Sequence, residues 1–421
     1  MSCLCINGGR KIEGVVMISG AKNAALPIIA ATLIKGREYI LGNIPNIEDV
    51  RIMLDIIAML GCKVNYSDNI CYIDSRGLNS YTIERIYSEK LRSSIIFLGP
   101  LLGRTKYATI SYPGGCNIGA RPIDIHLEGL RKFGVNVEEE KEYLTCAGEN
   151  THCAEITLSY PSVGATENLI MLAVAQKGVT RLINPAIEPE IIDLINFLRK
   201  CGYNIDVMPN AEILVHGGNE YVDNSLVEYT IIPDRIEAGT FIALATSVNS
   251  KICIENADKN HLGKVIDIYR KAGCLIDKVE KSIYIVSKER PKGVSGIKTM
   301  PYPGFPTDLQ TPFVASMAMA NGISSIRETV FENRYRQVED LVKMGANISI
   351  RDTLAIITGV DRLHGERVFA KDLRGGAALI VAAAGAEGKT VIQNLEHVNR
   401  GYENILHKLQ NLGVDAYLCD W

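Results

Sequence analysis

Lys22, Arg92, Arg235 and Arg374 each stand at the head of a run of small apolar residues, such as Ala24-Ala25-Leu26-Pro27-Ile28-Ile29-Ala30-Ala31. Gly164 and Asp308 head two more. A run that is apolar nearly all round predicts a buried helix. The first turn of a helix carries partial positive charge and free N–H groups. If these six helix starts converge around an axis, they make a strongly cationic site in a chain whose net charge is only −3. Arg121, Arg334 and Arg400, each just ahead of a second helix, add to it. Such a site calls for a small polyanion bearing phosphates and carboxylates. Asp308 is the one acid at a helix start. Among cations it stays ionised, which makes it a candidate base or hydroxyl acceptor.

A second group of reactive residues lies in Tyr112-Pro113-Gly114-Gly115-Cys116-Asn117-Ile118-Gly119-Ala120-Arg121-Pro122. Three glycines and two prolines make a shaped loop. The Cys116 thiol has Gly and polar neighbours and lies close to Arg121. Its pKa is expected to be lowered, so it can serve as acid or nucleophile. Cys62, Cys201, Cys253 and Cys274 sit in apolar settings and read as small core residues.

The elements that must carry these residues repeat. A helical run ends in Gly at positions 61, 134, 202, 273, 345 and 413, spaced 73, 68, 71, 72 and 68 residues apart. Each Gly reads as a left-handed helix cap, followed by a strand-like stretch such as Asn204-Ile205-Asp206-Val207. The buried-helix starts precede these glycines by 39, 42, 38, 38, 37 and 39 residues. The unit is therefore helix, strand, helix, strand, strand, six times over. Units of about 70 residues with a buried helix each fit two three-unit globules better than a solenoid of ~20–50-residue repeats.

Composition narrows the function classes. With 47% hydrophobic and 22% charged residues, the chain can build cores and is not a disordered protein. A slight acidic excess disfavours nucleic acid as a partner. No apolar run reaches the ~18–20 residues of a membrane span, and no signal peptide is read at the N-terminus. Eleven scattered cysteines suggest a reducing compartment, the cytoplasm, rather than a disulfide framework. Neither the cysteines nor the seven histidines show metal-ligand spacing.

Ser19-Gly20-Ala21-Lys22-Asn23-Ala24-Ala25, the Pro113–Pro122 loop and Pro161-Ser162-Val163-Gly164-Ala165-Thr166 resemble motifs of the UDP-N-acetylglucosamine 1-carboxyvinyltransferase family of enolpyruvyl transferases. So do Pro233-Asp234-Arg235-Ile236-Glu237, Phe305-Pro306-Thr307-Asp308, Phe331-Glu332-Asn333-Arg334, Asp372-Leu373-Arg374 and Arg400-Gly401-Tyr402-Glu403, in family order, from about residue 6 to about residue 417. The resemblance implies two inside-out α/β barrel domains, each of three helix-strand-helix-strand-strand repeats. Residues 22–232 would form the first domain and carry the Cys116 loop. Residues 1–21 and 233–421 would form the second, with the active site in the cleft between them.

The implied reaction transfers the enolpyruvyl group of phosphoenolpyruvate to the 3′-hydroxyl of UDP-N-acetylglucosamine and releases phosphate, the first committed step of peptidoglycan synthesis. By the same resemblance Cys116 is the proton donor and can form a pyruvate adduct, and Asp308 accepts the hydroxyl proton. Lys22, Arg121 and Arg400 hold phosphate and carboxylate; Arg92, Arg334 and Arg374 complete the cationic surface. The nucleotide sugar would lie along Asn23, Arg92, Arg121, Pro122, Ile123, Asp124, Ile125, Tyr160, Pro161, Ser162, Val163, Gly164, Asp308 and Val330. Fixed cations can neutralise the charge, so no metal or cofactor is expected; the partners are the two small substrates, and a monomer is expected. Tyr160 departs from the family, where some members have Lys. The alternatives are the sister transferase acting on shikimate 3-phosphate, against which the Cys116 loop speaks, and a non-catalytic UDP-sugar-binding paralogue.

Overall fold

The computed structural model describes residues 2–112, 114, 123–218 and 225–420. The chain divides into two compact units, cut at 19/20 and 232/233. The first unit comprises the described residues of 20–232; the second joins the N-terminal residues to the C-terminal half. Each has a hydrophobic core of its own.

The six predicted buried helices are present. They are Lys22–Ala31, Leu98–Thr105 with its 3-10 lead-in Arg92–Phe97, and Val163–Ala173 in the first unit. In the second unit they are Arg235–Ser247, Gln310–Met317 with its 3-10 lead-in Thr307–Leu309, and Leu373–Gly385. Every residue of Arg235–Ser247 is buried, as an all-round apolar helix requires. Three of their starts are capped by side chains, those of Val163–Ala173, Arg235–Ser247 and Leu373–Gly385. The Asp234 carboxylate accepts from the Ile236 and Glu237 amides (2.8 and 3.0 Å), and Asp372 accepts from Arg374 and Gly375 (3.0 and 2.8 Å). Such a cap is worth about 1 kcal/mol.

The second helix of each repeat is amphipathic and covers the core. Pro189–Lys200 buries Ile191, Leu194, Ile195, Phe197 and Leu198 and exposes Asn196, Arg199 and Lys200. All six terminal glycines have positive φ, between 79° and 101°. That region is strained for residues with a Cβ, so Gly turns the chain from helix to strand.

The strands form six four-stranded sheets of one pattern. A short strand pairs in parallel with the strand after the buried helix, and the latter pairs antiparallel with a hairpin. The repeat therefore begins with a strand that the periodic reading missed, because Glu155–Thr157 and its counterparts hold only two to five residues. No closed barrel is formed among the described residues: the sheets are open and separate.

Three sheets borrow a strand from far along the chain. Glu13–Met17 opens the fourth repeat by pairing with Lys251–Glu255. Val227–Thr230 opens the first by pairing with Glu38–Gly42. Ser2–Asn7 closes the sixth, between Lys389–Gln393 and Asp415–Asp420. In that last sheet Cys5 and Cys419 are joined as a disulfide. The pairing links strands 414 residues apart in sequence, so no local spacing announces it, and a single pair is not a disulfide framework. Among the described residues no helix is long and apolar enough to cross a membrane.

Candidate active site

In the second unit the buried-helix starts bring acid and cations together. Asp308 lies on the 3-10 turn Thr307–Leu309. Its Oδ1 accepts from Arg334 Nη2 at 2.5 Å and its Oδ2 from Arg374 Nη2 at 3.0 Å. The arginine side chains are only 3% and 4% exposed, whereas that of Asp308 is 25% exposed. Two guanidiniums thus share one carboxylate, leaving a positive surplus beside a solvent-facing oxygen pair, and an incoming anion is attracted to it. Burial works against the charge of Arg374. Asp308, Tyr402 and Asp234 outweigh it, and the Arg374 pKa lies above the ordinary arginine range. Arg334 also lies over the Phe331 ring (5.4 Å), and Arg235 over the Tyr302 ring (5.8 Å). Arg400 caps the short helix Glu396–Asn399 and is half-buried.

Glu328 organises this corner. It is 1% exposed. Its Oε1 accepts from Thr299 Oγ1 (2.9 Å) and from the amides of Val330 (2.8 Å) and Phe331 (3.2 Å); its Oε2 accepts from Thr307 Oγ1 (2.9 Å). One carboxylate thereby fixes both the turn carrying Asp308 and the segment carrying Val330. In the sequence Glu328 is a single acid after a strand, with no partner at regular spacing.

In the first unit Lys22 is the first residue of its helix, and its Nζ donates to the buried Asp49 at 3.2 Å; Asn23 follows it. Arg92 opens its 3-10 turn. Ile123 precedes and Asp124 starts the helix Asp124–Lys132; Ile123 and Ile125 pack on the core while Asp124 is exposed. Tyr160 is exposed and Pro161 half-buried. Ser162 caps the helix Val163–Ala173, its Oγ accepting from the Ala165 amide at 3.4 Å, so Val163 and Gly164 present first-turn N–H groups.

Two residues that the sequence reading passed over hold these pieces together. Asn168 is fully buried; its Oδ1 accepts from the Gly99 amide (2.8 Å), and its Nδ2 donates to Ile95 O and His126 Nδ1 (2.9 Å each). Burial, and then the nearby Arg92, push the His126 pKa down to about 4. The ring is therefore neutral at pH 7, and its proton sits on Nε2. Both looked like ordinary helix positions.

Cys116, Arg121 and Pro122 lie outside the described residues. Cys62 and Cys201 are buried, and desolvation pushes their thiols up to about 11 and about 12, in keeping with core roles. Among the described residues no three His, Cys, Asp or Glu side chains are grouped to hold a metal.

The family model described as EPSP synthase (3-phosphoshikimate 1-carboxyvinyltransferase) matches residues 6–409. UDP-N-acetylglucosamine 1-carboxyvinyltransferase 2 of Caldanaerobacter subterraneus subsp. tengcongensis is 44% identical over 410 residues, 97% of this chain and 98% of the relative. The chain belongs to the UDP-N-acetylglucosamine 1-carboxyvinyltransferase family. The family relative from Thermotoga maritima is 40% identical over 416 residues, 98% of each chain. Fold likeness reaches beyond the UDP-N-acetylglucosamine 1-carboxyvinyltransferases. The enolpyruvyl transferase NikO from Streptomyces tendae superposes with a TM-score of 0.90 at 23% identity, covering 99% of this chain and 98% of that one. An EPSP synthase from Acinetobacter baumannii superposes with a TM-score of 0.76 at 16% identity over all of both chains.

Proposed function

We infer that the protein transfers the enolpyruvyl group of phosphoenolpyruvate to the 3′-hydroxyl of UDP-N-acetylglucosamine and releases phosphate. Identity of 40–44% to curated enzymes of that name, over nearly the whole chain, carries this reading. The family model is described by the shikimate enzyme, but these relatives favour the nucleotide sugar as acceptor.

In the proposed mechanism Cys116 gives a proton to C3 of phosphoenolpyruvate, which leaves C2 electron-poor. The sugar 3′-oxygen attacks C2 as Asp308 takes its proton. The resulting ketal returns a C3 proton to the Cys116 thiolate and breaks the C2–O bond to phosphate, restoring the double bond and releasing phosphate. Lys22, Arg121 and Arg400 bind phosphate and carboxylate, whose oxygens suit fixed cationic donors. Arg334 and Arg374 hold Asp308 in place, which the two hydrogen bonds of 2.5 and 3.0 Å support. Asn23, Arg92, the Arg121–Ile125 segment, Tyr160–Gly164 and Val330 receive the nucleotide sugar. The diphosphate would meet first-turn amides at Val163 and Gly164, where an anion is favoured. With Tyr160 in place of a lysine, that contact comes through backbone or hydroxyl.

The protein acts as a monomer in the cytoplasm on this reading. The test is product analysis: incubation with both substrates yields a UDP-sugar heavier by one enolpyruvyl group. Recovery of unmodified UDP-sugar alone contradicts the assignment.

A further inference from the structure

We propose that Tyr402 is a positioning residue for the transferase reaction, acting through Arg374; this rests on the function inferred above. Tyr402 is 2% exposed, and its hydroxyl lies 2.8 Å from Thr240 Oγ1 and 3.3 Å from Arg374 Nη1. The proton order follows from donor counting. Thr240 has one hydroxyl hydrogen and gives it to Ile236 O at 2.9 Å. Its oxygen must therefore accept from the Tyr402 hydroxyl, whose own lone pair is left to accept from Arg374. The Arg374 guanidinium also lies 5.5 Å from the centre of the Tyr402 ring, within cation–π range.

Arg374 is thus held at two ends. Nη1 is tied to Tyr402 and through it to the buried helix Arg235–Ser247, while Nη2 is tied to Asp308. A planar fork with one end pinned has a fixed direction for the other. Tyr402 thereby sets the line along which Arg374 meets Asp308, and so the orientation of the carboxylate proposed to take the sugar proton. Catalysis falls steeply when a reacting group is displaced by about an ångström.

Two conservative variants separate positioning from mere packing. Tyr402→Phe and Thr240→Val both delete the Tyr402–Thr240 hydrogen bond, but only Tyr402→Phe also releases Arg374. The expected result is a kcat for phosphate release about tenfold lower in Tyr402→Phe, with the KM for UDP-N-acetylglucosamine within about twofold. Thr240→Val should keep kcat within about twofold. In an Arg374→Lys background the Tyr402→Phe effect should shrink toward unity, because interacting residues are not additive. Equal kcat losses in the two single variants, or an undiminished effect in the Arg374→Lys background, would overturn the positioning role alone. A wild-type protein that releases no phosphate would overturn both the role and the functional reading.

Discussion

Asp308 shows how a single side chain is prepared by its surroundings. Two nearly buried guanidiniums converge on it, so its removal leaves both without their shared partner. Asp308→Ala should therefore cost stability as well as turnover, up to about 3 kcal/mol in urea unfolding given that the carboxylate is partly solvated. A variant as stable as wild type would mean that the arginines are satisfied elsewhere. For Cys116→Ser the expectation is a kcat lower by roughly 100-fold, because a hydroxyl is a far weaker acid than a thiol. Near-normal turnover would remove Cys116 from the acid role. The helix starts were legible in the sequence: Lys22, Arg92, Asp308 and Arg374 each head an apolar run. The buried supports within each unit were not. Glu328, Asn168 and Tyr402 act through contacts with residues far away in sequence, and no local period marks a residue of that kind.

At the scale of the element, six helix-to-strand turns depend on glycine. Gly273 has φ of 101° and open space where a Cβ would stand, so Gly273→Ala isolates the backbone cost. That cost should be about 1–2 kcal/mol by urea unfolding. Gly134→Ala should cost more, since its Cβ would fall 2.9 Å from the His152 ring. Equal losses at both sites would mean that the His152 ring yields freely. The regular spacing of these glycines made the repeat readable, because helix and cap lie within one local segment. The short parallel strand opening each repeat escaped, since two to five residues carry too little pattern. Three sheets also take a strand from beyond their own repeat, which spacing cannot encode.

At the scale of the whole molecule, two buried groups tilt stability with pH in opposite directions. Burial and Arg92 bring His126 down to about 4, so its contribution is full above the unfolded value near 6.5 and is lost as pH falls toward 4. Asp193 is pushed up to about 6 by burial, against the hydrogen bonds from Tyr229 and Ile232. Its contribution is full below the unfolded value near 3.9 and is lost as pH rises toward 6. The two offset each other in the wild type between pH 4 and 6. In Asp193→Asn, urea unfolding should show stability rising more steeply with pH over that window; parallel curves would contradict the Asp193 assignment. The chain separates into two cores, with crossings at 19/20 and 232/233. The measurement that tests the account most directly is phosphate release from phosphoenolpyruvate with UDP-N-acetylglucosamine, with shikimate 3-phosphate, and with neither. Release that requires the UDP-sugar is the predicted result. Release that requires shikimate 3-phosphate, or none with either acceptor, would contradict it.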